Sequence, residues 1–573
     1  MKLNGFFRPK LAETLRTYSS QDFIKDLIAG LTVGIVALPL AMAFAIASGV
    51  SPQAGIFTAV IAGFIISSLG GTKVCIGGPT GAFVVILYGI YAKYGAENLA
   101  ICTVMAGIIL LVMGCAGLGT MIKYIPYPVT MGFTCGIAVL IFSTQIKDFL
   151  GLNVPKMPSE FVEKMKVFAE QSHTFQWPTF ALAAGSLAVI LLWPKKLQRR
   201  VPGSIVALVL ATVAVGVFQI PVETVGSRFG GIPQALPQPR IPLVSWENIQ
   251  QLIQPAFTIA LLAAIESLLC AVVADGMTDD RHEPNTELIA QGVANVVCPL
   301  FGGIAATSAI ARTATNIKSG ARSPIAGIVH ALTLLIIILA AAPLAKHIPL
   351  ATLSAVLVVV AYNMGEWHHF RRLRKWPKSD SVVFLAAFAL TVLVDLTVAV
   401  EVGMVLAAVL FIQRISENTQ ITAVDESTDY EGTHESLVGK QVPSGVMIYR
   451  VFGAFFFGAA DKLETALKRA NQKPDVLILR MRTVVVMDAS GLNALEDLHE
   501  KFRRKGKHLI LSAPHTQPLL VMDNAGFLDR LGRDNVCAHL DAALERAREL
   551  LRSQAIEPRP IVATEQSSES ARV

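Results

Sequence analysis

Apolar runs long enough to cross a bilayer recur through the first 415 or so residues of this chain, near 27–47, 98–118, 178–194, 202–219, 324–345 and 380–396. A membrane-crossing helix needs about 20 predominantly apolar residues, so runs of this length dominate every other local signal. Inside a further run, AAIESLLCAVV (263–273), stands a single acid, Glu266. A charged group at such depth costs about 2.5 to 3.5 kcal/mol on insertion scales, and residues of this kind usually face a cavity, a coupling ion or a proton path. The chain therefore reads as a membrane protein with a polar route through it.

Composition agrees. Of 573 residues, 53% are hydrophobic and 16% charged, against about 25% charged in ordinary soluble domains. Beyond about residue 415 the composition becomes that of a soluble domain. The expected organisation is a cytoplasmic segment at 1–25, a transmembrane domain at 26–415, a linker at 416–440, a small soluble domain at 441–553 and a disordered tail at 554–573 rich in Pro, Ser, Gln and Glu. Residues 1–25 are mixed polar and basic, unlike a cleavable signal, so the N-terminus is expected to stay in the cytoplasm. Cys75, Cys102, Cys115, Cys135, Cys270 and Cys298 lie in or beside apolar segments and Cys537 in the soluble part. They read as reduced packing residues without metal-ligand spacing. His368 and His369 likewise have no partner ligands at metal spacing, so no metal is expected. No nucleophile constellation or phosphate-binding loop points to an enzyme, and no cofactor is expected.

Orientation follows from short basic loops. Lys195, Lys196, Arg199 and Arg200 form one, and Arg371, Arg372, Arg374, Lys375 and Lys378 another. Both are expected on the side of the N-terminus and the soluble domain, which makes that side cytoplasmic. The net charge of +7 is then explained by topology, and no nucleic-acid partner is expected. Asp275 and the run DDRHE (279–283) read as a solvated cytoplasmic loop, and Asp395 as a turn or helix-cap residue.

A weak internal repeat is also present. GGPTGAF (77–83) follows the first span as GGIAATSAI (302–310) follows the span with Glu266, and Pro39 to Thr80 and Glu266 to Thr307 are both 41 positions apart. Each Gly-rich turn opens a short apolar helix, and paired interrupted segments in two halves point to a midplane binding site. A helix that begins inside the membrane presents unpaired N–H groups and about half a positive charge, so two such ends aimed at one point form an anion site. Arg312 would add a full charge and Glu266 a proton or cation requirement. Other readings stay open: Glu266 and Arg312 as a structural ion pair, Arg312 snorkelling to its helix end, and Thr80 and Thr307 as helix caps.

The soluble part alternates strand and helix, a small α/β fold. GVMIYRVFGAFFFGAA, PDVLILRM, TVVVMD and KHLILSA read as strands, and ADKLETALKRAN and ASGLNALEDLHEKFRRKG as helices before two more.

DLIAGLTVGIVALPLAMAFAIASG (26–49), GGPTGAF, AIESLLCAVVADGMT (264–278), ELIAQGVANVVCPLFGGI (287–304) and IARTATNIKSGARSP (310–324) together resemble the SulP family of anion transporters, the sulfate permease or solute carrier 26 group. Residues 441 to about 550 resemble its C-terminal STAS domain. Within the family the pattern resembles the proteobacterial four-carbon dicarboxylate transporters. Leu40 stands where many sulfate-transporting members carry Gln, and Glu266 and Cys270 where sodium-coupled bicarbonate members carry Asp and Thr. The resemblance implies about fourteen segments in two inverted seven-span repeats, a core and a gate subdomain, and a homodimer. It also implies substrate contacts at Phe44, at Thr80, Gly81 and Ala82, and at Ala309, Ile310, Ala311 and Arg312, with Glu266 as the proton-coupling group. In MDASG (487–491), Ser490 occupies the place of the phosphorylated serine of STAS antagonists, the alternative being that it caps the following helix. The expectation is proton-coupled uptake of a four-carbon dicarboxylate such as succinate, fumarate or aspartate across the inner membrane. Its alternatives are sulfate or bicarbonate transport on the same fold, and a membrane-tethered regulator whose STAS domain binds a protein partner.

Overall fold

The computed structural model describes residues 7–120, 126–154, 157–158, 160–194, 197, 201–231, 239, 246–394, 396–423, 437, 440–456, 462, 465–466 and 474–556. The basic residues 195, 196, 199 and 200, Asp395, most of ADKLETALKRAN and the tail from 557 lie outside the described residues. The chain forms two compact units, Met1–Ala407 and Ala408–Val573.

Hydrocarbon offers no hydrogen-bonding partners, so a spanning segment must satisfy its own backbone, which a helix does. Among its described residues the first unit is accordingly built of helices and their connections, apart from two strands of two residues. In chain order it contains α1 (Lys10–Thr14), α2 (Ser20–Ala47), α3 (Pro52–Leu69), β1 (Gly77–Gly78), α4 (Gly81–Cys115), α5 (Tyr127–Leu150), α6 (Phe161–Glu170), α7 (Trp177–Leu192), α8 (Gly203–Phe218) and α9 (Val225–Phe229). It continues with α10 (Trp246–Thr278), α11 (Pro284–Leu300), β2 (Thr307–Ser308), α12 (Ile310–Lys318), α13 (Ile325–Ala345), α14 (Leu350–Met364), α15 (His368–Arg372), α16 (Lys378–Leu393) and α17 (Leu396–Asn418), the last crossing into the second unit. Among the described residues, six helices are long and apolar enough to cross a membrane, or seven if the pair bent by 117° at 174–177 counts as one span. This makes a multi-pass membrane protein. Leu192 is 81% and Phe218 76% exposed, faces that a bilayer and not water would cover.

The helices of this unit pack in two groups. One joins α2, α3, α4, α10, α11, α12 and α13; the other joins α5, α6, α7, α8, α14 and α16. Small residues let the first group close tightly. A Cβ on Gly107 of α4 would lie 2.8 Å from the Gly292 carbonyl of α11, and one on Gly292 the same distance from the Gly107 carbonyl. Gly95, at φ 83° and ψ 178°, interrupts α4 after about four turns, so the segment from Gly81 is a short helix followed by a longer one.

The second unit is an α/β fold. Its sheet runs β3 (Gln420–Ala423), β4 (Val446–Phe455), β5 (Val476–Met487), β6 (His508–Ser512) and β7 (Val536–Cys537), with β3 antiparallel to β4 and the rest parallel. The described helices are α18 (Ala489–Arg503), α19 (Thr516–Asn524), α20 (Phe527–Leu531) and α21 (Leu540–Ile556). PDVLILRM and TVVVMD, expected as two strands, form the single strand β5. Register shifts against β4 absorb the irregularity instead of a break. Strand β3 lies within the stretch expected as linker.

Candidate functional site

The two short strands are the centre of the membrane unit. β1 and β2 pair antiparallel, Gly77 opposite Ser308 and Gly78 opposite Thr307, and the Ala309 N–H extends the pairing by donating to the Ile76 carbonyl at 3.0 Å. A helix starts immediately after each strand, α4 from its N-cap Thr80 and α12 from its N-cap Ala309. Antiparallel pairing so close to both starts brings the leading turns of α4 and α12 together, each with N–H groups that no earlier turn can accept from. The sequence offset of 41 residues matched Thr80 to Thr307; the structure matches Thr80 to Ala309 instead. The intervening Ile304–Ala306 backbone is held by Thr58 and Asn295, which delays the second helix start: the Ile304 N–H donates to Thr58 Oγ1 and the Ala306 N–H to Asn295 Oδ1, both at 2.8 Å.

The expected contact residues gather here. Thr80, Gly81 and Ala82 form the buried leading turn of α4. Phe44 of α2 covers it, since a Cβ on Gly81 would lie 3.3 Å from Phe44 Cε1. Ile310 and Ala311 lie exposed on the leading turn of α12, with Ala309 half-buried before them. Glu266 of α10 is partly buried and accepts a hydrogen bond from Thr80 Oγ1 at 3.3 Å. Thr80 therefore occupies the cap position while its hydroxyl serves the carboxylate, with no side-chain cap bond. Thr307 is no cap either, because its hydroxyl shares a 2.5 Å bond with Ser267 Oγ and donates to the Ala263 carbonyl.

Arg312 is 3% exposed, so it does not snorkel. Its Nη2 donates to the Pro79 carbonyl, and its Nη1 lies 2.6 Å from where a Cβ on Gly78 would stand. Gly78 has φ +145°, a region that L side chains avoid, and the absent side chain leaves room for the guanidinium. Arg312 and Glu266 form no ion pair within 4 Å among the described residues. The arginine places its charge behind the α4 turn, and the carboxylate stands free of it.

A polar scaffold that the sequence reading missed supports the crossing. Glu287, Gln291 and Asn295 recur every four residues on one face of α11 and are all completely buried. Glu287 accepts from Gly71 N, Thr72 Oγ1, Gln291 Nε2 and Ser308 Oγ at 2.9 to 3.3 Å, tying the approach to β1 to strand β2. Asn295 Nδ2 donates to the Ala306 carbonyl, so this amide bonds both polar groups of the same residue. The signal was present in ELIAQGVANVV as a four-residue polar period inside an apolar helix. On the other side, Thr313 of α12 accepts from Ile76 N at 3.0 Å and from Cys270 Sγ at 3.2 Å.

Other candidates lie elsewhere. Ser490 is exposed in the first turn of α18, whose cap is Asp488, its Oδ1 accepting from Gly491 N at 2.7 Å; the capping alternative for Ser490 is therefore replaced. His369 Nε2 is shared between Glu366 at 2.7 Å and the Tyr127 hydroxyl at 3.0 Å, and Glu366, His368 and His369 bring one potential ligand atom each to within 4.8 Å of one another, a partner set at metal spacing that the sequence reading did not expect. Within the expected solvated loop, Asp280 pairs with Lys73 at 3.0 Å and Asp275 with His282 at 2.7 Å.

Two interrupted membrane helices that start face to face beside a half-buried acid define a class, the multi-pass membrane transporters. The Sulfate permease family profile matches residues 23–387 and the STAS domain profile residues 438–543. The chain is 44% identical over 526 residues to the "Putative sulfate transporter YvdB" of Bacillus subtilis, covering 91% of this chain and 98% of that one. It is 32% identical to the bicarbonate transporter BicA of Picosynechococcus, covering 91% and 94%. Among solved structures, the transmembrane domain of a cyanobacterial BicA superposes with TM-score 0.62 at 32% identity, over 67% of this chain and 98% of that one. Murine Slc26a9 in its inward-facing state superposes with TM-score 0.85 over 96% and 94%, and at 20% identity that likeness shows the fold alone. The chain belongs to the sulfate permease family, as a transporter and not an enzyme. The finer likeness to four-carbon dicarboxylate transporters gains no support from these relatives, whose names carry sulfate and bicarbonate.

Proposed function

We propose that this protein is a secondary active transporter of a small inorganic oxyanion, sulfate first, with protons as the coupling ion and Glu266 as the coupling group. The observation that carries the proposal is the antiparallel β1–β2 pair, which brings two helix N-termini to one place beside the Thr80–Glu266 contact. Unpaired N–H groups of Gly81, Ala82, Ile310 and Ala311 would receive the anion, Phe44 would close the site, and Arg312 would supply charge from behind. The names of the relatives support an inorganic anion ahead of the dicarboxylate expected from the sequence. Bicarbonate is the second reading, favoured by the likeness to BicA at 32% identity.

The proposed frame is fourteen segments in two inverted seven-span repeats, working as a homodimer by alternating access. The two packing groups of helices supply the parts that would move against each other, the first as core and the second as gate. The basic residues Arg371, Arg372, Arg374, Lys375 and Lys378 support a cytoplasmic N-terminus and STAS domain in the inner membrane. Ser490, exposed on α18, is a proposed regulatory phosphosite, and the STAS surface around it a proposed protein-binding face.

Full-length protein in proteoliposomes, offered labelled sulfate, bicarbonate and succinate with and without an inward proton gradient or sodium, tests this reading. Sulfate should accumulate with the proton gradient and without sodium. Glu266→Gln, which imitates the protonated acid, should still bind sulfate but lose gradient-driven accumulation. Accumulation of succinate alone, or a Gln variant that still concentrates sulfate against the gradient, would sink the substrate or the coupling assignment respectively.

A further inference from the structure

Lys164 belongs to no part of the crossing site. It lies on the inward face of α6 with Phe168 one turn on, and it is 3% exposed. Its Nζ stands 5.9 Å from the centroid of the Tyr88 ring. Among the described residues, no carboxylate, carbonyl or hydroxyl reaches it at hydrogen-bond or ion-pair distance. Other enclosed or half-buried cations of this unit are satisfied: Lys147 donates to the Val154 carbonyl at 2.7 Å, and Arg228 meets Asp148 at 2.9 Å. A cation–π contact offsets only part of the cost of taking an ammonium out of water. Lys164 thus keeps its donors uncommitted while almost wholly enclosed.

Its position gives those donors a use. Tyr88 lies seven residues beyond Gly81, about 10 Å along α4 from the helix start. The tip of α2 packs there too, since a Cβ on Gly49 would lie 2.9 Å from Tyr91 Cδ1 and 3.2 Å from Tyr88 Cδ2. Because α2 starts on the side of the N-terminal segment, its tip marks the opposite face. Tyr88 belongs to the first packing group and Lys164 to the second, and the Tyr88 hydroxyl also crosses between them, donating to the Met157 carbonyl at 2.7 Å.

We infer that Lys164 is the cation of a second, outer anion subsite, which takes the transported oxyanion from the face opposite the N-terminus before it reaches the Thr80–Ala309 crossing. The inference rests on the transport reading above. An ammonium enclosed between the two groups and lacking a counter-ion is completed by a mobile anion, and it would be uncovered when the groups part on that face.

The test uses full-length protein carrying Lys164→Gln or Lys164→Arg. In proteoliposomes, Lys164→Gln should raise the apparent KM for external sulfate about tenfold at unchanged Vmax, the scale of one lost charge-assisted contact. Lys164→Arg should restore it, and the melting temperature in detergent should hold. An unchanged KM, or a fall in Vmax and melting temperature that Arg does not rescue, would reduce Lys164 to a structural partner of Tyr88 and overturn the subsite. A second measurement needs no transport. In a Cys115→Ser background, Tyr88→Cys, which places the thiol beside Lys164 and keeps the lysine, is treated with a sulfonate-bearing methanethiosulfonate reagent, with sulfate and then bicarbonate as protectants. Slower modification with either anion supports the subsite, and equal rates with and without both remove it. Absence of uptake by the wild-type protein would count against the transport reading alone, because protection is read independently.

Discussion

Arg312 and Glu266 are the two charges that simple electrostatics would pair, and the structure keeps them apart by giving each a different partner on the α4 turn. The arginine donates to Pro79 and the acid accepts from Thr80, the next residue. A full positive charge therefore stands close behind the helix start without being neutralised by a carboxylate, as an anion site requires. Arg312→Ala should weaken sulfate binding by about ten- to a hundredfold, the range for losing one charge-assisted contact of about 1.5 to 3 kcal/mol. Arg312→Lys should recover only part of this, because an ammonium lacks the planar fork of donors. Equilibrium binding to the purified variants decides it, and unchanged affinity for Arg312→Ala would remove the residue from the site.

At the level of elements, the β1–β2 pair sets where both short helices begin, and its tolerance for side chains is small. Gly78 combines φ +145° with a guanidinium where a Cβ would stand. Gly78→Ala would carry backbone strain of about 1 to 3 kcal/mol and push Arg312 off Pro79. Sulfate uptake should fall to background while circular dichroism still reports the wild-type helix content. A fully active Gly78→Ala protein would show that the crossing tolerates displacement and that its geometry does not set transport. Helix α11 plays the complementary part, its Glu287, Gln291 and Asn295 holding strand β2, the Ala306 backbone before it and the approach to β1. Apart from Gln291 Oε1, the polar side-chain atoms of this buried ladder are partnered, and the cost of losing one of those bonds reaches β2 directly.

On the scale of the whole molecule, all the residues of the crossing lie in the first unit, and the STAS fold is a second compact unit with its own core around Leu479, Phe455 and Leu511. Binding and selection should therefore belong to the first unit. Deleting residues 441–573 should lower the transport rate or the amount of assembled protein while leaving the order of preference among sulfate, bicarbonate and succinate unchanged. Competition between the three anions in the truncated protein checks this, and a changed order would show that the second unit takes part in selection.

Local patterns in the chain located the apolar helices closely. The runs expected at 178–194, 202–219 and 324–345 became helices Trp177–Leu192, Gly203–Phe218 and Ile325–Ala345. Apolar length and Pro or Gly punctuation act within a few residues, so they are legible without knowing what packs where. The same punctuation exposed both short helices and singled out Glu266, because a lone acid in an apolar run stands out by itself. Partnership was not legible. That Thr80 serves Glu266, that Arg312 reaches Pro79, that Thr80 corresponds to Ala309, and that Glu287 joins Gly71 to Ser308 all depend on contacts between segments some 200 residues apart. Strand β3 escaped notice for the same reason, since an edge strand of four residues is defined by its partner β4 and not by its own pattern. Burial energy along the chain decided where the elements are; hydrogen-bond satisfaction in the folded interior decided which residues meet.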